Sequence, residues 1–386
     1  MSSLGLGAYR FSVAWPRVRP SGGPVNAAGL DFYDRLVDRL LGAGIAPWVT
    51  LYHWDLPAAL EARGGWASRD TAYRFAEYAG SVAERLGDRV AGWVTLNEPW
   101  CSAFAGYASG RHAPGETSPT RAVAAVHHLL LGHGLAMERL RASSSAPAGI
   151  TLNLFPVEAA SRTDEDAARR VDGLQNRIFL DPVLRGSYPA DVLADLSPYG
   201  LQGHVRDGDL SLIGAPMDLL GVNYYRPLLV AAPLFAPSEP TEWLGVEGVR
   251  FLPSGRPRTE MGWEVAPTGL TDLLVRLHQE YPRLPLYITE NGAAYPDAVD
   301  ADGEVRDHDR VTFLEGHLRA AHAALRHGVD LRGYFCWSLL DNLEWAEGYA
   351  KRFGLVHVDF QTQRRTVKES GRWYAGVLAR NGLPPE

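Results

Sequence analysis

The chain has 386 residues, 46% hydrophobic and 22% charged, a composition that excludes a disordered segment. Its net charge of −7, from 45 acidic against 38 basic residues, lacks the basic footprint that nucleic-acid binding needs. No apolar run approaches the ~20 residues that cross a bilayer, Met1–Gly7 has no basic or apolar leader region, and Cys101 and Cys336 are too few for a disulfide framework, so a cytoplasmic protein with no membrane partner is expected.

Short β-branched and aromatic runs alternate with amphipathic stretches along the whole chain. The first strand is expected over 8–15 (AYRFSVAW), with Arg10 at an inward-facing position where burial demands a carboxylate, for which Glu290 is the candidate. The second, over 46–54, leads into His53-Trp54-Asp55. A helix follows over 70–86, where Phe75, Ala79, Val82 and Leu86 step by four, three and four; Asp70 is placed to cap it and Gly87 to stop it. The third strand, 92–98, ends in Asn97-Glu98. Ser118 and Pro119 open a helix over 118–140 as N-cap and first residue. Further strands are expected over 148–155 and over 218–225, the latter closed by Asn223, Tyr224 and Tyr225. The stretch 226–268, rich in Pro and Gly, is too long for an ordinary connection and reads as a functional loop. A strand over 285–290 ends at Glu290, 294–309 reads as a second, acidic loop, and a strand over 331–338 runs into Trp337–Trp345 (WSLLDNLEW). This alternation implies an α/β fold with parallel strands and right-handed crossovers, and no linker divides residues 1–386 into more than one domain.

Glu98 and Glu290 both stand where an apolar run gives way to a turn, beside an asparagine, which is where barrel enzymes keep reactive groups. Two carboxyl groups facing one another across a barrel mouth suit cleavage of a glycosidic bond, one as a protonated acid and the other as an ionised nucleophile or base. The competing readings are solvated strand ends for the glutamates and core packing for the aromatic residues. Other chemistries find no support. There is no G-x-G-x-x-G after a strand and no P-loop, so no nucleotide cofactor is expected. His127, His128 and His133 lack H-E-x-x-H spacing, and His317, His322 and His327 fan around a helix at about 140° per step, so no metal is expected either. Ser187 and Ser254 lack a nucleophile elbow, and both cysteines read as packed rather than catalytic.

The motifs YRFSVAWPR (9–17), GLDFYDRLVD (29–38), TLYHWDLP (50–57), RGGW (63–66), TLNEPW (95–100), GVNYY (221–225), MGWEV (261–265), ITENG (288–292) and WSLLDNLEWAEGY (337–349) run through nearly the whole chain. Together they resemble the family 1 glycoside hydrolases, in particular the bacterial β-glucosidases. The resemblance implies a (β/α)8 TIM barrel and hydrolysis of terminal β-D-glucosyl residues with retention, with Glu98 as acid/base, Glu290 as nucleophile and no cofactor. It implies that Asn97 bonds the sugar 2-hydroxyl, His53 and Trp345 the 3-hydroxyl and Glu344 the 4- and 6-hydroxyls. It also implies that Trp337 forms the floor under the ring, and that Tyr225 and Arg10 hold the nucleophile, with Asn223 in support. Phosphoglycosidases of the family hold a phosphate with serine, lysine and tyrosine where this chain has Glu344, Lys351 and Phe353; a glutamate there repels phosphate, so the expected partner is a small unphosphorylated β-glycoside, with galactosyl and fucosyl residues as alternatives to glucosyl.

Relatives also carry, before YRFSVAWPR, a segment with the first barrel strand and a sugar-binding glutamine. The expectation is therefore a barrel lacking that strand, with edges at 8–15 and 331–338, self-association and at least tenfold weaker turnover. A catalytically impaired sugar-binding remnant is the alternative function.

Overall fold

Seven strands form where the β-branched and aromatic runs occur: β1 (Ala8–Ser12), β2 (Ala46–Tyr52), β3 (Gly92–Asn97), β4 (Ala148–Asn153), β5 (Leu219–Asn223), β6 (Leu286–Asn291) and β7 (Leu331–Cys336). The structure, a computed structural model, describes residues 1–235 and 239–383. These residues group into two units: Ala8–Gly221 with Leu229–Leu252, and Met1–Gly7 with Val222–Leu228 and the described residues from Pro253 onward. In the larger unit β1, β2, β3 and β4 pair in parallel in that order, with β5 following β4; in the smaller, β5, β6 and β7 follow one another, and β6 and β7 pair in parallel. β2 to β5 are almost wholly buried, as strands with neighbours on both sides and helices outside them should be. β1 and β7, at the two ends of the strand order, are only half-buried along most of their length.

The main helices are α1 (Ala27–Gly42), α2 (Asp70–Leu86), α3 (Pro119–Ser143), α4 (Pro267–Glu280), α5 (His308–Arg326) and α6 (Glu369–Arg380). Phe75, Ala79, Val82 and Leu86 are all fully buried, as the stepping of α2 requires. Arg69 rather than Asp70 takes the N-cap position of α2, leaving Asp70 in the first turn, where its charge still favours the positive end of the helix. Ser118 and Pro119 do open α3, which runs three residues beyond the expected end.

Several of the aromatic side chains form core of the larger unit. Trp15 stacks on Tyr78 at 5.2 Å between ring centroids, and Tyr52, Trp66 and Phe75 pack edge-on or tilted around them. The Tyr78 hydroxyl lies 2.8 and 2.9 Å from the carbonyl oxygens of Val13 and Leu51, so this polar atom is satisfied within the cluster.

The long stretch 226–268 is more regular than its composition suggests. Leu228–Ala231 and Arg250–Phe251 pair antiparallel and join Val157–Ala159 in a three-stranded sheet; positions 236–238 lie outside the described residues.

The acidic loop 294–309 in the smaller unit turns two of its carboxylates inward. Asp297 meets Lys368 Nζ at 2.5 Å and Arg310 at 2.8 Å, and Asp307 pairs with Arg310. Lys368 also reaches Asp341 at 2.7 Å, and Asp341 accepts from Arg352 at 2.7 Å and from the backbone N–H groups of Gly354 and Val358. Burial pushes the Asp341 carboxyl up, but the adjoining Lys368 and Arg352 outweigh it and hold it below its ordinary value. Asp341 lies in the middle of Trp337–Trp345, so this network ties that loop to the start of α6. Lys368→Met should therefore leave two buried carboxylates short of a partner and cost about 3–5 kcal/mol in urea unfolding. A loss below ~1 kcal/mol would show that the network is dispensable.

Candidate active site

The expected site residues fall into two clusters, one in each unit. In the larger unit they gather at the C-terminal ends of β2 and β3, with Arg10 from the middle of β1. Arg10 donates from Nη2 to Asn97 Oδ1 at 2.5 Å, and Asn97 Nδ2 lies 3.2 Å from His53 Nε2. Because the amide NH2 can only donate, His53 Nε2 accepts, and the ring proton sits on Nδ1. Burial, and after it the charge of Arg10, lowers the His53 pKa to about 3, so this imidazole is neutral across the physiological range. The Trp54 indole N–H donates to the Asn97 carbonyl at 2.9 Å. Asn97 is thus held from three sides, a use for Arg10 that its position in a strand did not disclose.

Glu98 follows at once, 6% exposed, with φ at +47°. A left-handed conformation is uncommon outside glycine and costs on the order of 1 kcal/mol, and such residues cluster at functional sites. Its backbone N–H donates to the Thr151 carbonyl on β4 at 2.9 Å, which anchors the bend. Two neighbours of its side chain escaped the sequence reading: the Cys101 thiol, 3.2 Å from Oε2, and behind it Asn153. Asn153 ends β4 as a buried polar residue, the same signal that marked Asn97 and Asn223.

In the smaller unit Tyr225 donates from its hydroxyl to Glu290 Oε2 at 2.7 Å. Around this pair, Thr289 Oγ1 donates to Asn223 Oδ1 at 2.7 Å. Asn291 Nδ2 donates to the Tyr224 carbonyl, and Tyr334 donates to Asn291 Oδ1. Asn223, Glu290 and Asn291 are all buried, and each is held by a neighbouring hydroxyl, Asn291 by a backbone carbonyl as well, which fixes their rotamers. Gly292 is required by close approach: a Cβ there would lie 1.7 Å from the Trp337 carbonyl oxygen. The sequence Glu-Asn-Gly therefore brings the β6 end hard against the start of the loop that carries Trp337, Glu344 and Trp345, and Trp337 N–H donates to the Asn291 carbonyl at 3.0 Å.

Glu344 and Glu290 are close enough to repel. Burial first, then the Glu290 charge, raises the Glu344 pKa to about 7, against which the Trp337 indole donates a hydrogen bond to the carboxylate. Trp345 has φ at +42° and remains exposed. The arrangement offers two buried glutamates, one in each unit, each at a strand end and each given a hydrogen-bond donor, together with half-buried indoles. Such groups can protonate a leaving oxygen, attack an anomeric carbon and grip sugar hydroxyls.

The histidines of α3 have other partners. His127 lies between Tyr188 and Asp209, His128 faces the Trp66 carbonyl, and His133 meets Thr95 at 2.7 Å. Among the described residues no group of three or more His, Cys, Asp or Glu could hold a metal ion, and no helix is long and apolar enough to cross a membrane.

Comparison with known proteins agrees with the motif reading. The model of glycosyl hydrolase family 1 matches residues 1–383. The chain is 55% identical to thermostable beta-glucosidase B of Thermobispora bispora, over 99% of this chain and 79% of that one. It is 50% identical to a bifunctional beta-D-glucosidase/beta-D-fucosidase of Bifidobacterium breve, over 98% and 85%. Among solved structures, psychrophilic beta-glucosidase BglU of Micrococcus antarcticus superposes with a TM-score of 0.96 at 54% identity, covering 99% of this chain and 85% of that one. The beta-glucosidase of Thermotoga maritima in complex with castanospermine gives 0.92 at 45%, covering 100% and 85%. The fold is the TIM-barrel fold of these enzymes. A matched family model over nearly the full length, and relatives at this identity, settle the assignment: the chain belongs to glycosyl hydrolase family 1.

Proposed function

We propose that the protein is a retaining β-glucosidase, releasing terminal non-reducing β-D-glucosyl residues by double displacement. The observation that carries this reading is the pair of buried strand-end glutamates, Glu98 and Glu290, within a chain so similar to enzymes named for that activity. Glu98 protonates the leaving oxygen while Glu290 attacks the anomeric carbon; Glu98, now ionised, then draws a proton from water, which displaces Glu290. Residues 1–386, through which the family motifs run, are read as a single catalytic domain. Asn97 serves the 2-hydroxyl, His53 and Trp345 the 3-hydroxyl and Glu344 the 4- and 6-hydroxyls. Trp337 underlies the ring, and Tyr225, Arg10 and Asn223 hold the nucleophile. The impaired-remnant alternative has no support from relatives that match along the chain at 42–55% identity. The substrate is a small neutral β-glycoside, in keeping with the sugar-like inhibitors held by Thermotoga maritima structures. A fucosyl substrate is the natural second one to test, given the Bifidobacterium breve relative. A cytoplasmic location suits the two free thiols. The test is hydrolysis of a chromogenic β-glucoside, followed by NMR of the first sugar formed. β-Glucose is expected; no hydrolysis, or α-glucose as first product, defeats the proposal.

Glu344→Gln separates binding from stability. Removing a charged acceptor of two hydroxyls should cut kcat/KM on glucosides by roughly tenfold to a hundredfold. The folded-state pKa lies above the ordinary carboxylate value, so ionising Glu344 destabilises the fold increasingly as pH rises toward about 7. Glu344→Gln should therefore raise Tm by about 1–3 °C at pH 8 and by less at pH 5. Equal Tm changes at both pH values would show that the carboxyl is not under this strain, and unchanged kinetics would remove Glu344 from the site.

A further inference from the structure

Glu98 is gripped twice by the residue three positions on. Its carbonyl accepts the Cys101 N–H at 3.0 Å, and its Oε2 accepts the Cys101 thiol at 3.2 Å. Cys101 can do both because it lies three residues on, in the tight turn that follows Glu98, where side chains three apart share a face; the π-helical stretch Cys101–Ala105 continues from there. Asn153, at the end of the adjacent strand β4, approaches from behind with Nδ2 3.8 Å from the sulfur. Asn153 is itself fixed, since Gln175 Nε2 donates to its carbonyl at 2.8 Å. Glu98, Cys101 and Asn153 are 6%, 8% and 6% exposed, so little water competes for a donor as weak as a thiol.

We propose that Cys101, oriented by Asn153, is a positioning residue for the acid/base Glu98. The inference rests on the assignment of Glu98 given above. A thiol that donates to Oε2 leaves Oε1 as the oxygen that carries the catalytic proton, and it locks the carboxyl in the rotamer that presents this proton to the leaving group. Asn153 aims the thiol by donating to the sulfur, so its own effect passes through Cys101.

The test uses the full chain and two substrates of unequal demand for protonation: cellobiose, whose leaving sugar must be protonated, and dinitrophenyl β-glucoside, whose leaving group need not be. Cys101→Ala should lose about five- to tenfold in kcat/KM on cellobiose and less than about twofold on the dinitrophenyl substrate. Cys101→Ser, which restores a donor, should stay within about threefold of the wild type on both. Should Cys101→Ala prove unstable, Cys101→Val, an apolar replacement that leaves no cavity, must show the same split. Asn153→Ala should give a smaller loss on cellobiose and add nothing in the Cys101→Ala background. Equal losses on both substrates would mean a packing role only and would overturn the proposal, as would unchanged cellobiose kinetics. An undiminished Asn153→Ala effect without the thiol would overturn the part assigned to Asn153. If the wild type hydrolysed neither substrate, the function proposed above would fail instead.

Discussion

Glu290→Ala should lose essentially all turnover, by a factor on the order of ten thousand or more, because no other group can form the bond to the anomeric carbon that the first displacement needs. The loss should be partly reversible by chemistry. Truncation opens space beside Tyr225, whose hydroxyl donated to the missing carboxylate at 2.7 Å and is left to greet another anion. Azide placed there attacks the anomeric carbon from the face Glu290 used, and the dinitrophenolate departs from the opposite face. The product is an α-glucosyl azide, inverted relative to the substrate, and no second displacement follows to restore the configuration. NMR distinguishes it from the β-anomer. Azide without effect, or a β-azide as product, would strip Glu290 of the nucleophile role. Tyr225→Phe should lower the wild-type rate far less, since it removes an orienting donor rather than the reacting group.

The parts of this protein legible in its sequence are those built from short-range pattern. Six of the seven strands of the main sheet fall within the stretches expected from β-branched and aromatic runs, Leu286–Asn291 runs one residue past its expected end, and the burial of α2 follows from its stepping. Ends are less legible, because local geometry intervenes. The first strand stops at Ser12 rather than at 15, since Trp15–Val18 begins a helical turn with Pro16 at its start. What the sequence concealed is pairing between distant positions. Arg10 and Asn97 are 87 residues apart, and Lys368 and Asp297 are 71 apart, separations that leave no periodic trace. The acidic loop 294–309 showed its charge but not its partners, because Arg310 and Lys368 lie outside it. Likewise the cysteine at 101 read as packing, and it is the tight turn after Glu98 that brings its sulfur back to the glutamate. The site residues stood out for a different reason. A buried polar residue at a strand end has to be satisfied by something, and the sequence shows the need even where it hides the partner.

Glu98→Ala should divide substrates by their leaving groups instead of silencing the enzyme. Glu98 supplies a proton when the bond to the leaving oxygen breaks, a contribution typically worth about a hundredfold to ten-thousandfold. Cellobiose, whose leaving alkoxide is unstable without that proton, should lose about a thousandfold in kcat/KM. Dinitrophenyl β-glucoside leaves as a stabilised anion, so its first step should slow by no more than about tenfold. The second step suffers differently. With no base to draw a proton from water, the glucosyl group stays on Glu290, giving a burst of dinitrophenolate followed by a slow steady state. Azide needs no deprotonation, so it should restore the steady-state rate. Because it displaces Glu290 from the covalent intermediate, the second inversion is completed and the product is a β-glucosyl azide. The two variants thus yield opposite anomers from the same substrate and the same added anion. Matching losses on cellobiose and the dinitrophenyl substrate, no burst, or an α-azide from Glu98→Ala would each show that Glu98 is not the acid/base.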